Sequence, residues 1–502
     1  MAVIWHFFNK TFDSVDPVIS RVIYDSVKKQ ILDPYLNMDE HTANWWLAFD
    51  IKPGRVVNNW NPWCNANVIL CFLLMEQDPK RLDKAVAQSA KSVDKFIAYV
   101  KKDGACEEGP AYWGHAAGKL FDYLQIMSDA SKGRFSIFDD PQVRLMGEYV
   151  SRSFVRDGWV VNFADASAKL SFSSPLIYNY GKAVCSQEMQ DFAIYNLGNR
   201  KKGNFTTPSP VIQDDVYRSL ESLKYITEIT KRVDGMNELV SLGVSFDECM
   251  ASLRTCVPSS TWYPQTEFCY FQNKADWFFA AKGGHNNESH NHNDIGTFIL
   301  YKEGTPMFID AGVGTYTKQT FSSDRYAIWT MQSNWHNLPQ INGHVQRNGP
   351  KYKSSSTSVN YSKGKKVFRL DLSSAYPDST ECSSWMREYV LTDHMLTITD
   401  SYSLRTRKSG DVFNFLVQGK IFLPGDMIEG GYIVRKGEVI ISNAGVMMRL
   451  AYPTATTPSV DMVSLDDARL SKVWGNSIGR VSFTSDTNAP PKGKYVFQIT
   501  EF

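Results

Sequence analysis

Charge of one sign is what this sequence lacks most plainly. Its 54 Lys and Arg against 53 Asp and Glu leave a net charge of +1. That removes the basic surplus expected of a nucleic-acid binder, and leaves open only a local basic cleft for an acidic substrate. Cysteine is scarce, with eight in 502 residues and none in a C-x-x-C pair. This excludes a thiolate zinc site and a thioredoxin-type motif, and free buried thiols are expected. The longest strongly apolar run, "VILCFLLM", is far too short to cross a bilayer, so no membrane span is expected. The opening "MAVIWHFFNKTF" has no signal-peptide pattern and starts close to the first helix. A preceding part, a signal with more helices or simply more chain, is expected to be missing. The Gly-rich "DAGVGTY" lacks G-x-G-x-x-G spacing, and neither G-x-S-x-G nor a P-loop occurs.

What is present reads as a soluble globular protein of two or three domains, since 502 residues exceed one ordinary core. Aromatic residues reach 13%. They serve either a large core or flat platforms on which sugar rings stack. The first half has helical period. Asp16-Pro17 forms an N-cap and first position ahead of Ile19, Val22, Ile23, Val27 and Ile31. Asn61-Pro62 opens a second helix through Val68, Ile69 and Leu73. A third runs through Leu82, Val86, Val93, Ile97 and Val100 to a stop at Gly104. "HAAGKLFDYLQIM" and "VYRSLESLKYITEITKRV" continue the series. Stacked helix pairs curving into a toroid would fit. The period then changes near Val257-Pro258. "KVFRLDLSSAY", "HMLTITDSYSL", "YIVRKGEVIISN" and "KYVFQITEF" read as antiparallel strands of a sandwich. The expected division is a helical domain over 1–254 and a β-domain over 255–502, with a further subdivision near 420 admitted.

Five of the nine histidines lie between His285 and His344. In "HNHND", read as a strand, His290, His292 and Asp294 share a face, and two imidazoles with a carboxylate suit zinc. Asp310, at the end of "PMFID", and His336, in "NWHNLP", could close a His₂Asp site with His292. The alternative is a set of hydrogen-bonded polar residues at a sheet edge. An H-x-H-x-D-H metallohydrolase signature fails because Ile295 follows the aspartate. In "EEGPAYWGHAAG", Gly109-Pro110 makes a turn, which puts Tyr112 and Trp113 in the first turn of a helix. There the dipole would favour a phenolate, unless the rings simply cap the helix. "NNWNPWCNAN" crowds Asn58, Asn59, Asn61, Asn65 and Asn67 at a helix start, as caps or as N–H donors to a carboxylate.

Taken together, "NNWNPW", "EGPAYW" and "GGHNNESHNHNDIGTFILYKEGTPMFIDAG…Y" resemble the heparinase II/III-like polysaccharide lyases, whose superfamily includes alginate and oligoalginate lyases. The resemblance implies an α+β multidomain fold: an N-terminal (α/α) toroid, here short enough to be incomplete, followed by an antiparallel β-sandwich. It implies Tyr112 and His290 as catalytic residues and Asn59 as the amide that neutralises the uronate carboxylate, with Asn58 and Asn65 as alternatives. It also implies His292, Asp310 and His336 as ligands of one structural zinc ion. Trp60, Trp113, His285 and the auxiliary Tyr316 are expected to contact substrate. The expected substrate is an acidic polysaccharide or oligosaccharide, heparin or heparan sulfate first, with Lys52, Arg55 and Lys282 in reach of sulfates. The periplasm is the expected setting, by resemblance alone, and the oligomeric state is left open.

The chemistry wants these residue types. β-Elimination removes the C5 proton beside a carboxylate and expels the O4 substituent. An amide can neutralise the carboxylate, and a base and an acid must reach C5 and O4. Tyr112 could serve as either or as both, with His290 as base for the opposite epimer or as a further neutralising group. Alternatives are lyase action on alginate, hyaluronan or chondroitin sulfate, and a hydrolase on a similar toroid. A hydrolase needs two flanking carboxylates, for which Glu107, Glu108 and Asp165 are available. A non-catalytic glycan-binding protein is the third reading.

Overall fold

The computed structural model describes residues 1–38, 44–50, 56–209, 215–362 and 364–502. Lys52 and Arg55 lie outside the described residues. The chain divides into two compact units. A helical unit comprises Met1–Cys106, Tyr112–Ser151 and Ser171–Val257; a β-rich unit comprises Glu107–Ala111, Arg152–Leu170 and Pro258–Phe502. An N-terminal helical region followed by antiparallel sheets is the class expected from the change of period. The cut after Val257 lies three residues beyond the expected one, and two short segments of the first half fold with the second. The reason is packing: Trp159 and Ala168 join Ile309, Leu416, Leu470, Trp474 and Ile478 in an apolar cluster of the β-rich unit.

In the helical unit, Asp16 caps the helix Pro17–Val27 by accepting the Val18 N–H at 2.9 Å, as its sequence signal predicts. Asp78 does the same for Pro79–Tyr99 through the Lys80 N–H. That helix ends at Tyr99 rather than at Gly104, which instead forms a turn at φ +76°, where a Cβ would lie 2.6 Å from Leu145. Its buried face also differs from the expected aliphatic stripe: Ala85, Ser89, Ser92, Val93 and Phe96 are inside. The small residues leave room for the asparagines of the helix Trp60–Met75. Asn61 donates to Ser92 Oγ and O at 3.1 Å, and Asn65 donates to the same Oγ at 2.9 Å. The segment Val216–Val233, expected as one helix, is two, Val216–Glu221 and Ile226–Ser241, with tight turns between.

The β-rich unit is a sandwich of a nine-stranded and an eight-stranded sheet, each paired antiparallel throughout. Along Met395–Leu404 burial alternates as the sequence does. Strands Trp277–Lys282 and Phe298–Lys302 are buried at every position, and so read as continuous apolar runs. Between the sheets Phe279, Phe298, Phe368, Tyr389, Phe415 and Phe497 meet in one core. Burying each such ring stabilises by about 1.5–3 kcal/mol. Within this core the cross-strand pair Arg387 and Asp400 is bidentate, at 2.8 and 2.7 Å. Arg387 Nη1 also donates to the Asn337 carbonyl at 2.9 Å, next to His336.

Among the described residues no helix is long and apolar enough to cross a membrane. All eight cysteines are free, as expected, but of the buried thiols expected only Cys249 and Cys269 are found, and Cys185 and Cys256 are exposed.

Candidate functional site

The histidine-rich stretch joins strands Trp277–Lys282 and Phe298–Lys302, which are neighbours in the sheet. It is a loop, not the strand that its alternation suggested, apart from the two-residue strand His285–Asn286. Side chains therefore do not alternate across it. Asp294 pairs with Lys282 at 2.7 Å, and Glu288 meets the same ammonium at 3.3 Å. Lys282 is thus a buried anchor, 1% exposed, and not a surface cation for sulfate. Burial works against its charge, but the two carboxylates outweigh that and raise its pKa. Gln346 fastens the loop further, donating to the Ile295 carbonyl at 2.7 Å and accepting the Ile295 N–H at 3.1 Å. From the short segment before Tyr112, Glu108 accepts from the Ser289 hydroxyl at 3.0 Å. That segment lies close over 163–166: a Cβ on Gly109, at φ +85°, would sit 2.7 Å from the Phe163 carbonyl oxygen.

At the centre of this unit stands Asp165, which the sequence offered only as a hydrolase carboxylate. Its side chain is fully buried. Oδ2 meets His290 Nδ1 at 2.7 Å and accepts from the Tyr316 hydroxyl at 3.1 Å. Oδ1 meets His292 Nε2 at 3.0 Å and accepts from Arg325 Nη2 at 2.6 Å. Burial alone would raise its pKa. The hydrogen bonds to His290 and His292 and the charges of His292 and Arg325 win, and hold it well below the usual carboxylate range. A carboxylate held ionised in this way cannot be the proton-donating acid of a hydrolase pair.

His290 itself has φ +56°, a left-handed conformation uncommon for a side-chain-bearing residue. Arg325 braces it, donating to the carbonyls of His290 and Asn291 at 3.0 Å each and of Thr320 at 3.2 Å. The Tyr316 ring stacks beside His290, with centroids 6.5 Å apart, and Arg469 lies 5.0 Å over the Tyr316 ring. Tyr316 and His290 are therefore brought together. His285 lies five residues earlier, half-buried and paired in register with Lys353.

His292, Asp310 and His336 converge as well: each offers one donor atom, and the three lie within 4.8 Å of one another. All three are buried. Among the described residues, His292 Nδ1 and His336 Nε2 have no hydrogen-bond partner. Two buried imidazoles beside a carboxylate suit a divalent transition metal. His336 Nδ1 meets Asp310 Oδ2 at 3.0 Å, and Asp310 Oδ1 accepts the Gly312 N–H at 2.7 Å.

In the helical unit the expected asparagines part company. Asn65 is fully buried, with its amide given to Asn61 O and Ser92 Oγ and its oxygen to the Tyr35 hydroxyl. Asn65 is a packing residue and offers nothing to a ligand. Asn58 Oδ1 accepts the Trp60 N–H at 3.2 Å, as a cap does. Asn59 starts the helix at 9% exposure, and Trp60 is 51% exposed, edge-on to Trp45. Trp113 is a core residue at 1% exposure. Its indole donates to the Met146 carbonyl and its ring stacks on Tyr180, which removes the expected sugar contact. Tyr112 is half-buried in a helix of only four residues, Pro110–Trp113. Aligned peptide dipoles need more length than that, so the expected dipole effect on its phenol lapses. Hydrogen bonds and ion pairs hold the backbone around Tyr112 instead. Its carbonyl accepts the His115 and Ala116 N–H groups at 2.9 Å. Arg218 donates to the Gly114 carbonyl at 2.7 Å and to Asp122 at 2.8 Å. Lys119, buried, bridges Asp122 and Asp215 beneath the Trp63 ring.

Asp165 and Arg325 were not found from the sequence as site residues. The one signal for Asp165 was an acid inside the small and apolar run "VVNFADASA", which burial would oblige to find partners.

Residues 257–409 match the family described as Heparinase II/III-like, C-terminal. No curated protein sequence matches the chain. Among solved structures, one described as a heparinase III gene product is similar over 99% of this chain and 64% of its own, at 14% identity and a TM-score of 0.62. A heparan sulfate lyase mutant, HepC from Pedobacter heparinus, is similar over 91% of this chain and 61% of its own, at 13% identity and a TM-score of 0.56. At these identities the likeness is one of fold, and the chain spans under two thirds of either protein's length.

Proposed function

From a chain that carries a Heparinase II/III-like C-terminal domain over residues 257–409, we propose a polysaccharide lyase that cleaves a uronate-containing acidic glycan by β-elimination, heparan sulfate first among candidates. The observation that carries the reading is the pairing of His290 with a buried carboxylate that is kept ionised, at 2.7 Å, two residues from His292 of a buried His₂Asp donor set. The fold likeness to a heparinase III product and to a heparan sulfate lyase supports it.

In the reaction the C5–H electron pair becomes the C4=C5 double bond, while C4–O4 breaks with its pair on oxygen. His290 or Tyr112 takes the C5 proton, and the phenol of Tyr112 supplies one to O4. The Asn59 amide offsets the uronate charge, which makes the C5 proton removable. Trp60, with its exposed ring, offers a face to a sugar. Zinc is the ion that the His292, Asp310 and His336 donors fit, and it would supply rigidity to the loop bearing His290 rather than polarise substrate.

The test is digestion of heparan sulfate, chondroitin sulfate, hyaluronan and alginate, followed by ultraviolet absorbance of the unsaturated uronate and by product size. Absorbance should rise on one polymer and be lost in Tyr112→Phe. New reducing ends without absorbance would make the protein a hydrolase. Binding without turnover on any polymer would make it a glycan-binding protein.

A further inference from the structure

We propose that Asp165 is a positioning residue that imposes opposite tautomers on two imidazoles, making His290 a proton acceptor at Nε2 and His292 a metal ligand at Nδ1. The inference rests on the lyase reading for the use of His290, but not for the tautomers themselves.

Hydrogen-bond donors and acceptors decide the tautomers. The Asp165 carboxylate is ringed by donors, the Arg325 guanidinium at 2.6 Å and the Tyr316 hydroxyl at 3.1 Å among them, so it accepts from every nitrogen that meets it and each brings its proton. Asp165 meets His290 through Nδ1 at 2.7 Å and His292 through Nε2 at 3.0 Å. In the neutral rings the lone pairs therefore fall on opposite atoms, Nε2 of His290 and Nδ1 of His292. The second is the buried nitrogen that, among the described residues, lacks a partner, and it belongs to the residue grouped with Asp310 and His336.

The backbone makes this double grip possible. Two residues apart in a regular strand, the rings would lie parallel, about 7 Å from each other along one face. The left-handed turn at His290 (φ +56°) redirects the first ring, so that both reach the two oxygens of a single side chain. Arg325 closes the arrangement, with one nitrogen on Asp165 Oδ1 at 2.6 Å and on the His290 carbonyl at 3.0 Å. One carboxylate thus connects the candidate base to a candidate metal ligand. This favours His290 as the acceptor of the C5 proton over its alternative role as a neutralising donor.

The measurement is tautomer assignment by long-range proton–nitrogen correlation on ¹⁵N-histidine-labelled protein, at mildly alkaline pH where imidazoles are neutral. Spectra would be taken metal-free and with zinc added, with His290 assigned through His290→Gln. Wild type should show the proton on Nδ1 of His290 in both states and on Nε2 of His292. In Asp165→Asn, whose amide presents one donor and one acceptor, at least one of the two tautomers should invert. Turnover should fall by about 10²-fold or more with KM changed by less than about threefold, the size expected for a misplaced general base. Asp165→Glu, which keeps the acceptor, should recover part of that loss. A proton on Nε2 of His290 in wild type overturns the proposal whether or not any variant folds. Unchanged tautomers in Asp165→Asn overturn it as well, and leave the residue a structural anion. Should no glycan yield an unsaturated product while the tautomers follow Asp165, the lyase reading fails and the assignment of the rings stands.

Discussion

Removing the Arg325 side chain tests whether the conformation of His290 is imposed from outside its own loop. Arg325 binds the buried Asp165 carboxylate at 2.6 Å and the carbonyls of His290, Asn291 and Thr320 at 3.0 to 3.2 Å. Its side chain is 11% exposed and that of Asp165 is fully buried. Breaking a buried ion pair from one side costs about 3–5 kcal/mol, because the other charge stays behind without compensation. Two imidazoles and the Tyr316 hydroxyl still face Asp165. That places Arg325→Ala at the lower end, about 3 kcal/mol. At about 2–4 °C per kcal/mol for a unit of this size, the thermal midpoint by scanning fluorimetry should drop by roughly 6–12 °C. The same loss releases His290 from a left-handed conformation that itself costs about 1–3 kcal/mol. Well below the midpoint, turnover should therefore fall by up to about 10²-fold, since 1.36 kcal/mol is one decade. Arg325→Lys restores a positive charge near Asp165 without the planar fork, and should recover stability more than activity. An Arg325→Ala protein with its midpoint within about 2 °C of wild type and turnover intact would refute the reasoning.

Chelation of the zinc proposed at His292, Asp310 and His336 should lower the thermal midpoint and the rate together, and restoring zinc should reverse both, while the unsaturated product stays the same; a changed product would assign the ion a chemical role. In the helical unit, burial raises the Asp215 pKa, but the Lys119 charge and the Arg218 N–H outweigh it and hold the group below its ordinary value of 3.8. A depressed carboxylate stabilises above that value, and its contribution is lost as pH falls through the lower folded value. Asp215→Asn should thus melt earlier than wild type at neutral pH and approach it in acid; equal melting at every pH would contradict the pairing.

Much of the architecture was legible because it depends on short-range patterning. The caps at Asp16 and Asp78, the helical first half and the alternation along Met395–Leu404 follow from side-chain chemistry a few residues apart. His292, Asp310 and His336 could be grouped because their types and local strands fitted one metal. Where local rules failed, tertiary demands had prevailed. "HNHND" alternates as a strand does, yet it lies in a loop, because Lys282 draws in Asp294 and Asp165 draws in both histidines. Asn65 and Trp113 had the right chemistry for a ligand, but the helical core uses their polar atoms.

Local period and composition were enough to set the class of each half, the break between them and the residue types from which a site could be made. Which carboxylate the histidines meet was settled by long-range folding alone. Asp165 lies 125 residues before His290 and 160 before Arg325. No pattern within either segment specifies that meeting. It is fixed by the burial of a charge that, out of water, is stable only where folding has gathered enough donors around it.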